Sequence, residues 1–333
     1  MNKSKLGKTE LEVSQLSLGG LFVAGGDGQI DSAIDTVNKA YELGINYIDT
    51  APGYGKSEEV MGRIFKTTGT PSILSTKVGG DPETFEAQNP DVIKASIENS
   101  LTVMGVDHFE IFMVHEPERP GHFDWWTDMQ KVEGPVLDVL LDYKRQGIIK
   151  HLGLGGTCTT EMAHLVRSGK FDVVLTAFNY SLLYREAEDT VIKAAKENGL
   201  GIIVGSPLQQ GGFAKKYDAV YDDSVYWLHP ARRQQLLDLY ALSDDIKMSL
   251  PEMAIRFVLS NHDVHTVLMG ARTVSEIEEN VAAVAKGDLP SDVMARLDEI
   301  ASRVPFRPYE EPNGLGSRLG NPGGYKGPGS LNY

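Results

Sequence analysis

Along this chain, short apolar runs alternate with stretches in which apolar residues recur every three or four positions. The first rhythm belongs to buried strands, the second to amphipathic helices. The segment LGKTELEVSQLSLGG predicts a short hairpin, with Lys8 and Thr9 near its turn, followed by a strand. Asp31 suits the cap of a helix in which Ile34, Val37 and Tyr41 share a face, and Gly44 stops it. INYID is the next strand, a helix carrying Met61, Ile64 and Phe65 follows, and SILSTK is strand again. The cycle repeats through DVIKASIENSLTVMG and HFEIFMVH, GPVLDVLLDYKRQG and IIKHLGL, TEMAHLVRSG and FDVVLTAF, then EAEDTVIKAAKENG and LGIIVG. After a long loop, ARRQQLLDLYALS and PEMAIRFVLS read as helices, HTVLMG as a strand, and TVSEIEENVAAVAKG closes the series.

Strands beginning at Leu16, Ile45, Ser72, His108, Ile148, Phe171, Leu200 and Val264 number eight, each followed by a helix. The economical closure of eight such units is an α/β fold of the (β/α)8 TIM-barrel type, here with an N-terminal β-hairpin. An open doubly wound sheet is the rival, and it normally places a glycine-rich phosphate turn after its first strand. Here the first strand runs into LGGLFVAGGDG, which is not GxGxxG. The near-match Gly153-Leu154-Gly155-Gly156 lies mid-chain and has Cys158 where the last glycine should stand. The expected organisation is one domain over 1–333, with the barrel at 3–302 and a Gly/Pro-rich strap at 303–333 laid over the barrel mouth.

Composition narrows the function. Lys plus Arg is 32 against 46 Asp plus Glu, a net charge of −14, so nucleic acid and anionic membranes are poor partners. The single cysteine, Cys158, excludes an intrachain disulfide and a structural zinc cage. MNKSKLGKTE has no apolar signal core and no run is long enough to span a membrane, which predicts a cytoplasmic protein.

In a barrel, chemistry gathers where strands end. Strand two ends in Asp49-Thr50-Ala51-Pro52-Gly53-Tyr54-Gly55, strand three in Ser75-Thr76-Lys77 and strand four in His115-Glu116-Pro117. Singly, each has a plain reading: a turn cap, a packed aromatic, a solvated lysine, a satisfied histidine. Together they suggest a proton-transfer device. A lysine beside the phenol is expected to pull its pKa from ~10 toward working pH. Asp49 would hold Lys77, and His115 would orient a carbonyl or hydroxyl. HEP is not HExxH, because position 119 is Arg, so a zinc protease is excluded and no metal is expected.

The chain resembles the aldo-keto reductase superfamily through DTAPGYG, STK, VHEP, GSPLQQGG at 205–212 and GARTVSEIEENVAA at 270–283. That resemblance implies that Asp49, Tyr54, Lys77 and His115 form the catalytic tetrad. It also implies NADPH or NADH lying across the barrel mouth. The cofactor residues it implies are Gly19, Gly20, Asp49, Gly155, Gly156, Asn179, Ser206, Pro207, Leu208, Gln210, Gly270, Arg272, Thr273, Glu276, Glu279 and Asn280. Three positions depart from the family. Gly155 and Gly156 replace the Ser-Asn pair that holds the nicotinamide amide, so backbone groups or Thr157 would substitute. Asn179 replaces a glutamine, and Gly205 replaces a stacking aromatic. A roomier site of this kind is similar to the sugar-oxidising branch of L-galactose, L-fucose and D-threo-aldose dehydrogenases.

Cofactor choice between NAD and NADP turns on Glu276. A carboxylate near the adenosine ribose repels a 2′-phosphate and favours NAD, as acidic residues do in other folds. Equally, Thr273-Val274-Ser275-Glu276 is a capping box in which Glu276 closes the helix start. Arg272 remains available to adenine or a phosphate.

Substrate contacts are expected from Tyr54 and His115, from an exposed Trp125-Trp126 wall, and from Arg307 and Arg318 of the strap. The tryptophans equally suit anchors for their loop, which also holds Arg119, His122 and Phe123. Residues 209–230, with Phe213, Tyr217, Tyr221, Tyr226 and Trp227, are expected to form a lid that orders on binding. The strap's Phe306, Tyr309, Leu315, Leu319, Tyr325, Leu331 and Tyr333 argue for an ordered segment despite its Gly and Pro. Its Arg303, Arg307, Arg318 and Lys326 exceed Glu310 and Glu311 in charge. The expected function is NAD(P)-dependent hydride transfer to or from a carbonyl or sugar carbon, by a chain that can also form homo-oligomers. The alternatives are a cofactor-binding, redox-sensing regulatory subunit and a redox-assisted elimination on the same barrel. Cys158 is assigned no role.

Overall fold

The computed structural model describes residues 1–23, 30–80, 83–119, 122–307, 311–312 and 314–324. Eight parallel strands close a barrel: β3 (Leu16–Gly19), β4 (Tyr47–Asp49), β5 (Ile73–Val78), β6 (Phe109–His115), β7 (Ile149–Gly156), β8 (Val173–Ala177), β9 (Gly201–Gly205) and β10 (Thr266–Met269), with β10 pairing back onto β3. Seven strand starts lie one or two residues past the expected position, and Leu16 coincides with it. The outer strand faces pack against the helices in one large apolar cluster, which is why the strands read as near-continuous apolar runs.

The hairpin of β1 (Lys3–Lys5) and β2 (Glu12–Ser14) plugs the end of the barrel where the strands begin. Its Leu6, Leu11 and Val13 join Tyr47, Ile73, Ile111, Met113, Val173, Leu175, Ile203 and Leu268 inside the barrel. The approach demands glycine at position 7: φ is +56° there, and a Cβ would stand 2.2 Å from the Gly201 nitrogen. With that end filled, the opposite rim, where the strands end, is the place for chemistry.

Several expectations need correction. Asp31 is not a cap but the second residue of the helix Ile30–Glu42. The helix Ser291–Ser302 lies beyond the predicted series, although Val293, Leu297 and Ile300 bury one face at helical spacing. The 209–230 segment is a packed loop and not a lid awaiting order. Phe213, Val220, Trp227 and Leu228 are buried, and the Arg233 guanidinium donates to the carbonyls of Ala219, Val220, Asp222 and Val225. The described part of the strap lies against the loops after β8 and β9, and it contains a short helix, Leu315–Leu319. Tyr309, Glu310, Tyr325, Lys326, Leu331 and Tyr333 lie outside the described residues. Among the described residues no helix is long and apolar enough to cross a membrane, and no group of three or more His, Cys, Asp or Glu is placed to hold a metal ion.

Candidate active site

The ends of β4, β5 and β6 bring Asp49, Tyr54, Lys77 and His115 to one side of the mouth. Lys77 is 1% exposed and Asp49 3% exposed, so this ion pair is inside the protein. Lys77 Nζ donates to Asp49 Oδ2 at 2.7 Å and to the Thr50 carbonyl at 2.8 Å. The other carboxylate oxygen, Oδ1, accepts from Ser75 Oγ at 2.5 Å, and Ser75 in turn meets the Tyr47 hydroxyl at 2.8 Å. A buried carboxylate is tolerated only when charge and hydrogen bonds satisfy it, and every partner here comes from β4, β5 or the turn that follows β4.

Lys77 Nζ lies 4.9 Å from the Tyr54 ring centroid. The Tyr54 and His115 rings meet edge to face at 5.8 Å. Burial pushes the Tyr54 phenol up, and the charge of Lys77 offsets only part of that rise. The expectation that Lys77 acidifies the phenol is therefore corrected: the desolvation cost of a phenolate outweighs one ammonium that already serves Asp49. Burial alone would lower Lys77, but Asp49 and Tyr54 together hold it above its ordinary value, so it stays charged. Burial, with help from the Lys77 charge, pushes the His115 imidazole down to about 3. The result is a neutral phenol and a neutral imidazole beside a fixed cation.

Beside Lys77, at the ends of β7 and β9, the inner wall is backbone. Gly155 and Gly205 point inward: a Cβ on Gly155 would stand 3.3 Å from Lys77 Cε, and one on Gly205 3.3 Å from Leu175 Cδ2. Ala177 pairs with Gly205 between them. This floor of glycine and alanine next to the phenol suits a flat aromatic ring lying against backbone. The other cofactor candidates also gather at strand ends: Gly19 closing β3 and Gly20 just past it, Asn179 after β8, Ser206, Pro207, Leu208 and Gln210 after β9, and Gly270 after β10. Thr273 caps the helix Val274–Ala285, which also carries Glu276, Glu279 and the buried Asn280.

Glu276 fills its capping role. Its carboxylate accepts from the Arg272 backbone N–H at 2.7 Å, while its own N–H donates to Thr273 Oγ1. Asn179 donates to the Thr157 carbonyl. The Thr157 hydroxyl donates to Glu116 Oε2 at 3.0 Å, so it ties the loop after β7 to the loop after β6.

The residue that sequence reasoning missed is Glu118. It is 4% exposed, and one carboxylate oxygen accepts from the N–H groups of Thr157 and Cys158. A Cβ at position 156 would lie 2.2 Å from its Oε2, so the Glu118 carboxylate occupies the space a side chain at 156 would need. Burial raises its pKa. The signal was a second acid in VHEPE facing an unexplained Gly-Gly.

Three substrate candidates are misplaced for that role. Trp125 is fully buried and donates from Nε1 to the His115 carbonyl at 2.8 Å. Trp126 is half-buried and donates to the Pro117 carbonyl at 2.6 Å. They anchor the loop and form no exposed wall, because their indole N–H groups are what its backbone needs. Arg307 stacks over Tyr184, 3.8 Å from the ring centroid, and donates to the Pro312 carbonyl, so it holds the strap. Arg318 is exposed on the strap helix.

A family model described as the Aldo/keto reductase family matches residues 15–302, and the chain belongs to that family. The NADH-specific methylglyoxal reductase of Escherichia coli is 27% identical, with 91% of this chain and 100% of that protein covered. The L-galactose dehydrogenase of Arabidopsis thaliana is 28% identical, over 93% of this chain and 97% of that protein. The D-threo-aldose 1-dehydrogenase of a Pseudomonas species is also 28% identical, over 85% and 91%. Among solved structures, an aldo-keto reductase from Bacillus halodurans in its holo form superposes with a TM-score of 0.75 at 23% identity, covering 93% of this chain and all of that one.

Proposed function

We propose that this chain is a nicotinamide-dependent oxidoreductase that moves hydride between its cofactor and the carbonyl or hydroxyl carbon of an aldehyde or sugar. The observation that carries this reading is the Tyr54 phenol set between the buried Lys77–Asp49 ion pair and the His115 ring. When bound, the cofactor supplies or accepts the hydride; the chain must supply the proton. Tyr54 gives that proton to the carbonyl oxygen in reduction and takes it back in oxidation. Lys77 lowers the cost of the phenolate, Asp49 keeps Lys77 in place, and His115 points a neutral ring nitrogen at the reacting oxygen. The backbone floor at Gly155 and Gly205, with Gly156 and Asn179, would lie under the nicotinamide. The loops at Gly19, Gly20, Ser206, Pro207, Leu208, Gln210 and Gly270 would follow the pyrophosphate. Arg272, Thr273, Glu276, Glu279 and Asn280 would meet the adenosine end.

NAD is the preferred cofactor in this reading, because Glu276 places a carboxylate at the helix start that a 2′-phosphate would approach, and an Escherichia coli relative is named NADH-specific. Relatives named for L-galactose, D-threo-aldose and methylglyoxal support a small carbonyl or sugar as substrate. The test is a screen of aldehydes, ketoses and aldoses with NADH, NADPH and their oxidised forms, following the absorbance of the reduced cofactor in both directions. Turnover of at least one substrate class is expected. The reading fails if purified protein binds neither dinucleotide and turns over none of the panel.

A further inference from the structure

The turn after β9 is held in a conformation that its residues do not favour. Ser206, Gln209 and Gln210 have φ of +55°, +51° and +51°, three non-glycine residues in the left-handed region within five positions. In an unrestrained chain each is disfavoured on the order of tenfold or more. Such a turn persists only when its surroundings fix it.

The C-terminal strap does the fixing. The Gly316 N–H donates to the Gln209 carbonyl at 3.0 Å. The two backbones lie so close that a Cβ on Gly316 would stand 2.1 Å from the Gln210 carbonyl oxygen, and one on Gly314 2.5 Å from Gln210 Oε1. Leu315 closes the contact against Gly212, where a Cβ would meet the leucine Cβ at 2.8 Å. Gln209 itself is fully buried; its amide donates to the Phe178 carbonyl at 2.7 Å, and its Oε1 accepts from Arg307 at 3.4 Å.

The strap is in turn nailed down from beneath. Glu311 is 6% exposed and accepts from Arg232 Nε at 2.9 Å and from the Tyr184 hydroxyl. Arg232 is fully buried and reaches Gln235 Oε1 at 2.5 Å; Gln235 holds the carbonyls of Ile300 and Ala301.

We propose that the strap is a clamp on the cofactor loop: Gly314, Gly316, Arg307 and Glu311 are positioning residues that keep Ser206–Gly212 in the left-handed shape required to bind the dinucleotide. This inference rests on the oxidoreductase reading, in which Ser206, Pro207, Leu208 and Gln210 touch the cofactor. It assigns the described strap to cofactor affinity and not to substrate choice. If the loop relaxes without its clamp, apparent affinity falls by the fraction of molecules still in the competent shape.

Gly316→Ala tests it, because alanine suits the strap helix better than glycine, while its Cβ would meet the Gln210 carbonyl oxygen at 2.1 Å and the Gly211 and Gly212 backbone at 2.6 Å and so force strap and loop apart. Dissociation constants for NADH and NADPH are read by fluorescence titration, beside the melting temperature, the substrate KM at saturating cofactor, and the rate of tryptic cleavage at the exposed Lys215 in the same loop. The clamp predicts cofactor binding weakened about tenfold, faster cleavage at Lys215 that saturating cofactor suppresses, and little change in substrate KM, beside the fall in Tm that the backbone clash brings. Glu311→Gln, which keeps an acceptor for Arg232, should move the same readouts in the same direction by less. Unchanged affinity and unchanged cleavage in a Gly316→Ala protein whose wild type binds cofactor would overturn the clamp and leave the oxidoreductase reading intact. A loss of affinity without faster cleavage at Lys215 would also overturn it. A wild type that binds neither dinucleotide overturns the oxidoreductase reading, and the clamp with it.

Discussion

Replacing Lys77 by methionine removes the cation that pairs with Asp49 and leaves the surrounding volume nearly filled. Two separate losses follow. The first is stability: Asp49, 3% exposed, keeps its Ser75 hydrogen bond but loses its counter-charge, and breaking a buried pair this way costs about 3–5 kcal/mol. The second is chemical. At the 4.9 Å separation of Lys77 Nζ from the Tyr54 ring, an effective dielectric near 20 gives about 3 kcal/mol of attraction between ammonium and phenolate. That is on the order of a hundredfold in rate for a step in which Tyr54 approaches phenolate, and since reduction and oxidation pass through one transition state, both directions should slow. The double variant Lys77→Met/Asp49→Asn separates the two losses, since it removes the orphaned charge and should recover most of the Tm. Steady-state rates in both directions, with thermal melts, are the assay. If the double variant regains alcohol oxidation together with its stability, the electrostatic role of Lys77 is refuted.

The barrel was legible in the sequence because its two periodicities are physical necessities: strands buried on both faces and helices buried on one. The gathering of Asp49, Tyr54, Lys77 and His115 at one rim was legible for a related reason, since strand ends are where a polar residue needs an explanation. What was not legible was the outcome of opposing terms at one atom. That Tyr54 lies near Lys77 follows from strand order; that burial outweighs the ammonium depends on how much water the fold removes. The tryptophans fail similarly. Sequence places Trp125 and Trp126 beside the mouth, but whether a ring faces solvent or donates inward to a carbonyl is decided by the loop's unpaired backbone. Glu118 and Gly156 are distant in sequence and meaningful only as a pair, so neither draws notice alone. The strap's apolar residues argued for order, but that Gly316 is a point where two backbones touch depends on the fold.

Further outcomes follow from the same geometry. With the His115 imidazole pushed down to about 3, the pH profile of carbonyl reduction should show no imidazole limb near 6.5, and a limb there that vanishes in His115→Asn would contradict the neutral assignment. For stability the sign is fixed: between 6.5 and about 3 the unfolded chain takes up a proton at His115 that the folded chain refuses. His115 therefore contributes stability present above 6.5 and lost as pH falls toward 3, and His115→Asn should flatten that part of the Tm profile. Gly156→Ala drives a methyl into Glu118 Oε2, 2.2 Å away, and should cost about 1–3 kcal/mol in denaturant melts; adding Glu118→Ala should return part of it, and full tolerance of the single change would remove the claim that the two share one space. Arg233→Ala strips the donors from the carbonyls of Ala219, Val220, Asp222 and Val225, so limited proteolysis should shift to residues 217–226, and an unchanged digestion pattern would show the loop is held by other means.

The most direct measurement is single-turnover reduction by Tyr54→Phe protein preloaded with reduced cofactor. The account predicts that cofactor binding and Tm stay near wild type while the rate of carbonyl reduction falls by ~10²–10⁴, because the phenolic proton is gone and the ring stays in place. A rate within a few-fold of wild type would mean the proton comes from elsewhere, and the role assigned here to Tyr54 would be wrong.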